Sequence, residues 1–265
     1  MDLASVPAGP VNPADLAVII PAKDEAERIP ATVAAARELP GADLVVVVDD
    51  GSLDDTAAMA RAAGARTIRH GRNRGKGAAM ESGAEAVRLI EEDEDGNAPR
   101  HLLFLDADLG ESAEHAAPLV EPVRAGDADM TIALFPTDRP KLGGHGFVVR
   151  LSRSGIRRAT GWEATQPLNG QRCLTRDAFT AACPLACGFG VETALTVDLL
   201  HKGFRVTEVE VPLAHRATGT GASAQLHRAR QFTDVTRALA ARELRPVRQL
   251  RRFRRRYGRT GHGGA

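Results

Sequence analysis

The chain has 265 residues, 43% hydrophobic and 26% charged, which suits one large domain or two closely packed halves with a core that needs no staples. Aromatics are only 4%, so the core rests on Ala, Val and Leu. That scarcity argues against a base-stacking platform, and no nucleic-acid partner is expected. The net charge of +1 hides an asymmetry, because eight arginines and no acid follow Leu244 and the remainder is net acidic.

Residues 1–14, rich in Pro, Ala and Gly, are expected to be a flexible leader, with neither the basic start nor the apolar stretch of a secretory signal. Apolar runs then alternate with helical stretches. Strands are predicted over 16–20, 44–48, 65–68 and 101–105, with helices over 25–38, 54–63 and 77–92 between them. Strands too apolar to have a wet face, alternating with helices, predict an α/β fold built on a mostly parallel sheet covered on both sides. Past 129–134 the rhythm loosens into a basic amphipathic segment over 147–159 and an extended piece over 166–171. Helices over 175–182 and 190–202, a strand over 204–213 and a helix over 225–243 complete the body.

The longest aliphatic run, 44–48, is far short of the roughly 20 residues that span a bilayer. Three cysteines, Cys173, Cys183 and Cys187, lack zinc-type spacing and fit a reduced, cytoplasmic compartment. The arginine-rich stretch 245–259 is a contact for an anionic membrane surface, which would make the protein peripheral there, a contact for nucleic acid, or a solvated end.

Ligands of such sheets lie beyond the carboxyl ends of the strands, and acids gather there. Asp106-Ala107-Asp108 ends the fourth run; carboxylates two apart can share a divalent cation, or one can cap the next helix. Asp49-Asp50-Gly51-Ser52 ends the second, where Gly51 permits a turn and Ser52 or Asp54 can cap a helix. A carboxylate there can accept a nucleobase N–H. Arg72-Asn73-Arg74-Gly75-Lys76-Gly77 opens a helix with small residues and a mobile cation suited to an anion, without the spacing of a Walker A loop. Glu192 starts a helix behind Gly188-Phe189-Gly190. It either complements the helix dipole or binds and deprotonates an acceptor hydroxyl. His215-Arg216 follows a strand: the imidazole can complete an Asp/Asp/His site, and the arginine can neutralise a diphosphate.

In this order, Pro21-Ala22-x-Asp24-Glu25, Asp49-Asp50-Gly51-Ser52-x-Asp54-Asp55-Thr56, Gly75-Lys76-Gly77 and Asp106-Ala107-Asp108-Leu109 resemble a family 2-type glycosyltransferase of the GT-A fold. The resemblance implies a Rossmann-like sheet with a C-terminal helical extension. The parts would be the leader, a nucleotide-sugar half over 15–130, an acceptor half over 131–223, and a helix and basic tail over 224–265. It implies a nucleoside-diphosphate sugar donor, with UDP as the expected carrier, and a Mg²⁺ or Mn²⁺ cofactor. Glu25 and Asp50 would contact the nucleoside, with Pro21, Ala22 and Ser52 in the same donor-binding set. Lys76 would meet the pyrophosphate, Asp106 the ribose or metal, and Asp108 the metal.

The second half, with Gln166-Pro167-Leu168-Asn169-Gly170, Gly188-Phe189-Gly190-Val191-Glu192 and Ala214-His215-Arg216, is similar to glucosyl-3-phosphoglycerate synthases. That similarity implies His215 as the third metal ligand. Asn169 and Gly170 would line the sugar or acceptor, and Glu192 and Arg216 would be catalytic. The sequence departs from that group at His145-Gly146-Phe147-Val148 and at Ala217, where its acceptor-binding Arg, Thr and Asn would fall. The acceptor is therefore open between a small molecule and a lipid-linked one. A polyprenyl-phosphate sugar synthase at the membrane surface is an alternative reading, as are a sugar nucleotidyltransferase and a non-catalytic nucleotide-binding protein.

Overall fold

The computed structural model describes residues 15–94, 99–135, 145–213 and 222–243. In chain order these form β1 (Leu16–Ala22), α1 (Ile29–Arg37), β2 (Ala42–Asp49), α2 (Thr56–Ala62), β3 (Arg66–Arg69), α3 (Lys76–Asp93) and β4 (His101–Phe104). A 3₁₀ stretch (Gly110–Leu119), α4 (Glu121–Arg124), β5 (Met130–Leu134), α5 (His145–Thr160), β6 (Arg172–Leu174) and α6 (Arg176–Ala182) follow. A 3₁₀ turn (Gly188–Gly190), α7 (Val191–His201), β7 (Val206–Glu210) and α8 (Ala222–Glu243) end the series.

The strands make one seven-stranded sheet in the order β3-β2-β1-β4-β6-β5-β7. β1 to β4 are mutually parallel, as are β5 and β7. Alternate residues of β1 feed opposite faces. Leu16, Val18 and Ile20 pack with α1 and the first 3₁₀ stretch, while Ala17 and Ile19 pack with α3, α6 and α7. Both faces are dry, which is why these strands lack polar alternation. A third cluster joins α5, α7 and α8 through Val148, Ile156, Val197, Val235 and Leu239.

Three differences from the sequence reading bear on function. The helix expected from residue 25 begins at Ile29, because side chains of the next loop hold residues 24–26 in a turn, with Asp24 at φ 55°. The segment 110–124, for which the sequence predicts no element, is 3₁₀ with Pro118 inside it, then a short α-helix with Pro122 in its first turn. The third difference is β6, which follows the expected extended piece over 166–171 and has only three residues. It runs antiparallel between β4 and β5, pairing Cys173 with both Leu103 and Thr131. Its N-terminal end therefore lies beside the C-terminal ends of the parallel strands, delivering 169–172 to the edge where the acids gather.

Candidate active site

The loops after β1 and β2 lock together. Ser52 Oγ accepts the Asp24 N–H (2.9 Å), Thr56 Oγ1 that of Glu25 (2.8 Å), and Asp54 Oδ2 that of Ala26 (3.0 Å). Asp24 Oδ1 accepts the Leu53 N–H in return (2.8 Å). Ser52 thus builds the loop rather than capping α2; Asp55 is at the N-cap without a side-chain cap bond, and Asp54 Oδ1 accepts the N–H of Thr56, the first residue of the helix. Gly51 has φ +74°, and a Cβ there would lie 2.6 Å from the Arg72 carbonyl carbon. Nothing larger fits.

Asp50 is buried and joins this loop to the start of α3. Oδ1 accepts from His70 Nδ1–H (2.7 Å) and the Arg74 N–H (2.8 Å), while Oδ2 accepts the Gly75 N–H (2.7 Å). Burial opposes its charge, but these donors outweigh burial and hold its pKa below the ordinary carboxylate range. The other ring nitrogen, Nε2, is hydrogen-bonded with Ser82 Oγ (2.9 Å). Ala22, at the end of β1, accepts the Asp50 N–H (2.8 Å). Pro21 pairs with Val48 in the sheet.

Lys76, the first residue of α3, reaches between two carboxylates. Its Nζ is 2.6 Å from Asp106 Oδ1 and 3.0 Å from Glu192 Oε1. Burial disfavours the ammonium, yet these acids more than compensate and raise its pKa. Gln171 Nε2 donates to the other Asp106 oxygen (2.7 Å). Gly170 makes this assembly possible, since a Cβ there would lie 2.3 Å from Lys76 Nζ and 2.8 Å from Asp106 Oδ1. Asn169 shapes the same turn by donating to the Ala133 carbonyl (2.8 Å) and accepting the Gln171 N–H (3.0 Å).

Arg172 is fully buried. Nε donates to the Asn169 carbonyl (2.9 Å), Nη2 to that of Pro167 (2.9 Å), and Nη1 to the Glu192 carbonyl (3.0 Å) and Thr196 Oγ1 (2.9 Å). One guanidinium therefore clamps the 167–170 turn to the first turn of α7, where Glu192 is. Burial pushes its pKa down to about 10, against the opposing charges of Glu192, Glu208 and Asp106.

The Asp106–Asp108 segment is pinned by buried Thr32, which donates to the Ala107 carbonyl (2.9 Å) and accepts the Gly110 N–H (2.8 Å). Asp108 is half-buried. Glu25 has a raised pKa, chiefly from burial, with the Asp108 charge adding to it and Arg28 opposing. Neighbouring carboxylates are hard oxygen donors of the kind that suits a divalent cation. Among the described residues no three His, Cys, Asp or Glu side chains form a ready cage. Mg²⁺ and similar ions need none, since one or two carboxylates with substrate phosphates suffice. His215 and Arg216 lie outside the described residues.

The structure thus joins Asp50, Lys76, Asp106, Gly170 and Glu192 through direct contacts or adjacent backbone, and places Glu25 near Asp108. The sequence reading had missed His70, Thr32, Gln171 and Arg172. Two polar residues directly before the apolar pair Cys173-Leu174 were the available signal for the last two.

Residues 17–177 match the model of a protein family described as glycosyl transferase family 2. The chain belongs to that family. Glycosyltransferase AglJ of Haloferax volcanii is 30% identical over 216 residues, covering 79% of this chain and 66% of that protein. A glucosyl-3-phosphoglycerate synthase of Mycolicibacterium paratuberculosis is 30% identical over 206 residues, covering 69% and 59%. The chain thus spans about two thirds or less of these two relatives' lengths. Among solved structures, glucosyl-3-phosphoglycerate synthase of Mycobacterium tuberculosis, in complex with Mn²⁺, UDP and phosphoglyceric acid, superposes with a TM-score of 0.70. It is 24% identical, with 88% of this chain and 80% of that chain covered. The expected GT-A fold is thereby established for this family 2 glycosyltransferase.

Proposed function

We propose that this glycosyltransferase moves a sugar from a UDP-linked donor to an acceptor hydroxyl with the help of a divalent metal ion. The observation that carries the reading is the Lys76 ammonium held between Asp106 and Glu192, one residue from the Gly75 N–H that Asp50 binds. Asp50 has three of its roughly four lone-pair sites filled by protein donors, which leaves room to accept one N–H from a base. Lys76 would pair with the diphosphate, a reading supported by its position at the N-terminus of α3, where anions are favoured. Drawing the ammonium onto phosphate would release the Glu192 carboxylate to bind and deprotonate the acceptor hydroxyl. The Asn169-Gly170 turn then forms the wall between donor and acceptor, and Arg172 fixes its distance from Glu192.

Asp108, with Asp106 assisting and His215 as third ligand, would hold the Mg²⁺ or Mn²⁺. When bound, the ion stabilises negative charge on the departing diphosphate. The solved relative holding Mn²⁺ and UDP supports both the ion and the nucleotide. Calorimetric titration of UDP with and without Mn²⁺ tests this on wild type and Asp108→Ala. Binding strengthened by Mn²⁺ in wild type alone is expected. Metal-independent binding that ignores the substitution would overturn the metal assignment.

A further inference from the structure

The outer face of α5 and α8 carries a combination that the transfer reaction does not use. α5 turns Val148, Ser152 and Ile156 inward, and Gly155 against Leu239 of α8. Phe147, Arg150, Arg153, Arg157 and Arg158 face outward, and at 100° per residue they fall within an arc of about 140°. The helix has no acidic residue among its sixteen. At its N-terminal end Phe147 is 60% exposed and stacks on exposed Phe232 of α8, ring centroids 5.3 Å apart. Arg153 and Arg157 also line a cleft of about 340 Å³ against residues 163–165. Glu163 pairs with Arg157 at 3.6 Å there, so the face keeps a net positive charge.

We infer that this face docks on the surface of an anionic lipid bilayer. An exposed aromatic pair continuous with an arginine arc matches the division of an interfacial helix, in which rings enter the acyl boundary and cations meet the headgroups. Nucleic acid fits less well, because the two rings spend a face on each other and leave no open platform for bases. A second copy of this chain would set like-charged arcs against one another. The opposite, inward side of α5 packs on α7. Ser152 and Thr193 hydroxyls are 2.7 Å apart, next to Glu192, and the Phe189 N–H donates to Asp234 of α8 (3.1 Å). The docking itself depends on neither the donor nor the metal, so a failure of donor turnover leaves it standing.

The test is co-sedimentation of the full chain with phosphatidylcholine vesicles, with and without phosphatidylglycerol. Wild type, Arg150→Glu/Arg157→Glu and Phe147→Ser/Phe232→Ser are compared, and thermal melts confirm that both variants fold. All of these positions are on the surface. Binding only to the anionic vesicles is expected, falling at least tenfold in the charge variant, on the scale of about fivefold per surface arginine. The ring variant should bind more weakly and lose its residual binding as salt is raised. Unchanged binding in both variants would assign all attraction to the arginines beyond residue 244 and overturn the inference. So would equal binding to neutral vesicles, displacement from vesicles by an oligonucleotide, or self-association that the charge variant abolishes.

Discussion

Arg172 provides a test in which chemical similarity and structural logic point in opposite directions. Replacement by Met deprives the Pro167 and Asn169 carbonyls of their guanidinium donors, whereas the Glu192 carbonyl keeps the Thr196 hydroxyl (3.0 Å). Two orphaned acceptors cost about 2 kcal/mol each. Removing a buried charge returns part of that, and the pKa of about 10 corresponds to about 3 kcal/mol of burial cost. Arg172→Met should therefore cost about 1–2 kcal/mol. Lys keeps the buried charge but loses the planar fork, forfeiting at least two charge-assisted hydrogen bonds at about 2 kcal/mol apiece. Arg172→Lys should cost about 4 kcal/mol, so the conservative change is the more damaging one. Urea denaturation of the three proteins measures both values, provided they share one m-value. If Lys is the milder substitution, the guanidinium serves as a charge and not as a clamp, and the reasoning fails.

Gly170→Ala inserts a methyl within 2.3 Å of Lys76 Nζ at a position of ordinary φ. The lysine end can swing aside, so stability should change by about 1 kcal/mol or less, while donor turnover drops tenfold or more because the Asp106 pair is displaced. Wild-type turnover in this variant would remove the pair from the mechanism. Asp50 predicts a pH effect. Its folded pKa is lowered, so it contributes stability above the unfolded value near 3.9 and loses it as pH falls through the folded value. The stability gap between wild type and Asp50→Asn should thus be full at neutral pH and close below about pH 4; a gap constant with pH, by urea melts, refutes this assignment.

The fold was legible where burial on two faces wrote itself into uninterrupted aliphatic runs, as at Val45 to Val48, and where acids abruptly ended them, as at Asp49-Asp50 and Asp106. Glu192 was legible from the glycines before it. β6 was not, because three residues are too few to show a period and its partners are set by tertiary packing. Arg172 was illegible for a related reason: it is balanced by carbonyls of Pro167 and Glu192, and a backbone acceptor has no signature in the sequence. Ser52, Asp50 and Asn169 were read as ligand contacts. All three also build loops through backbone bonds, a role that depends on which amides lie nearby.

The antiparallel entry of β6 has a mechanical consequence. Had a parallel strand occupied that place, its N-terminal end would lie at the opposite edge of the sheet, away from Asp106. Antiparallel pairing with both β4 and β5 instead sets Gly170 and Gln171 directly against the Asp106 carboxylate. Arg172, the next residue, then carries that position across to the first turn of α7. A shift of α7 must therefore be felt at Asp106, either through Arg172 and the 169–171 turn or directly through Lys76. Arg172 and the 169–171 turn, which tie the Glu192 backbone to the Asp106 carboxylate, make the separation of the two a property of the sheet rather than of flexible loops. That rigidity is what a reaction requires when it must hold a leaving diphosphate and an incoming hydroxyl at a fixed distance.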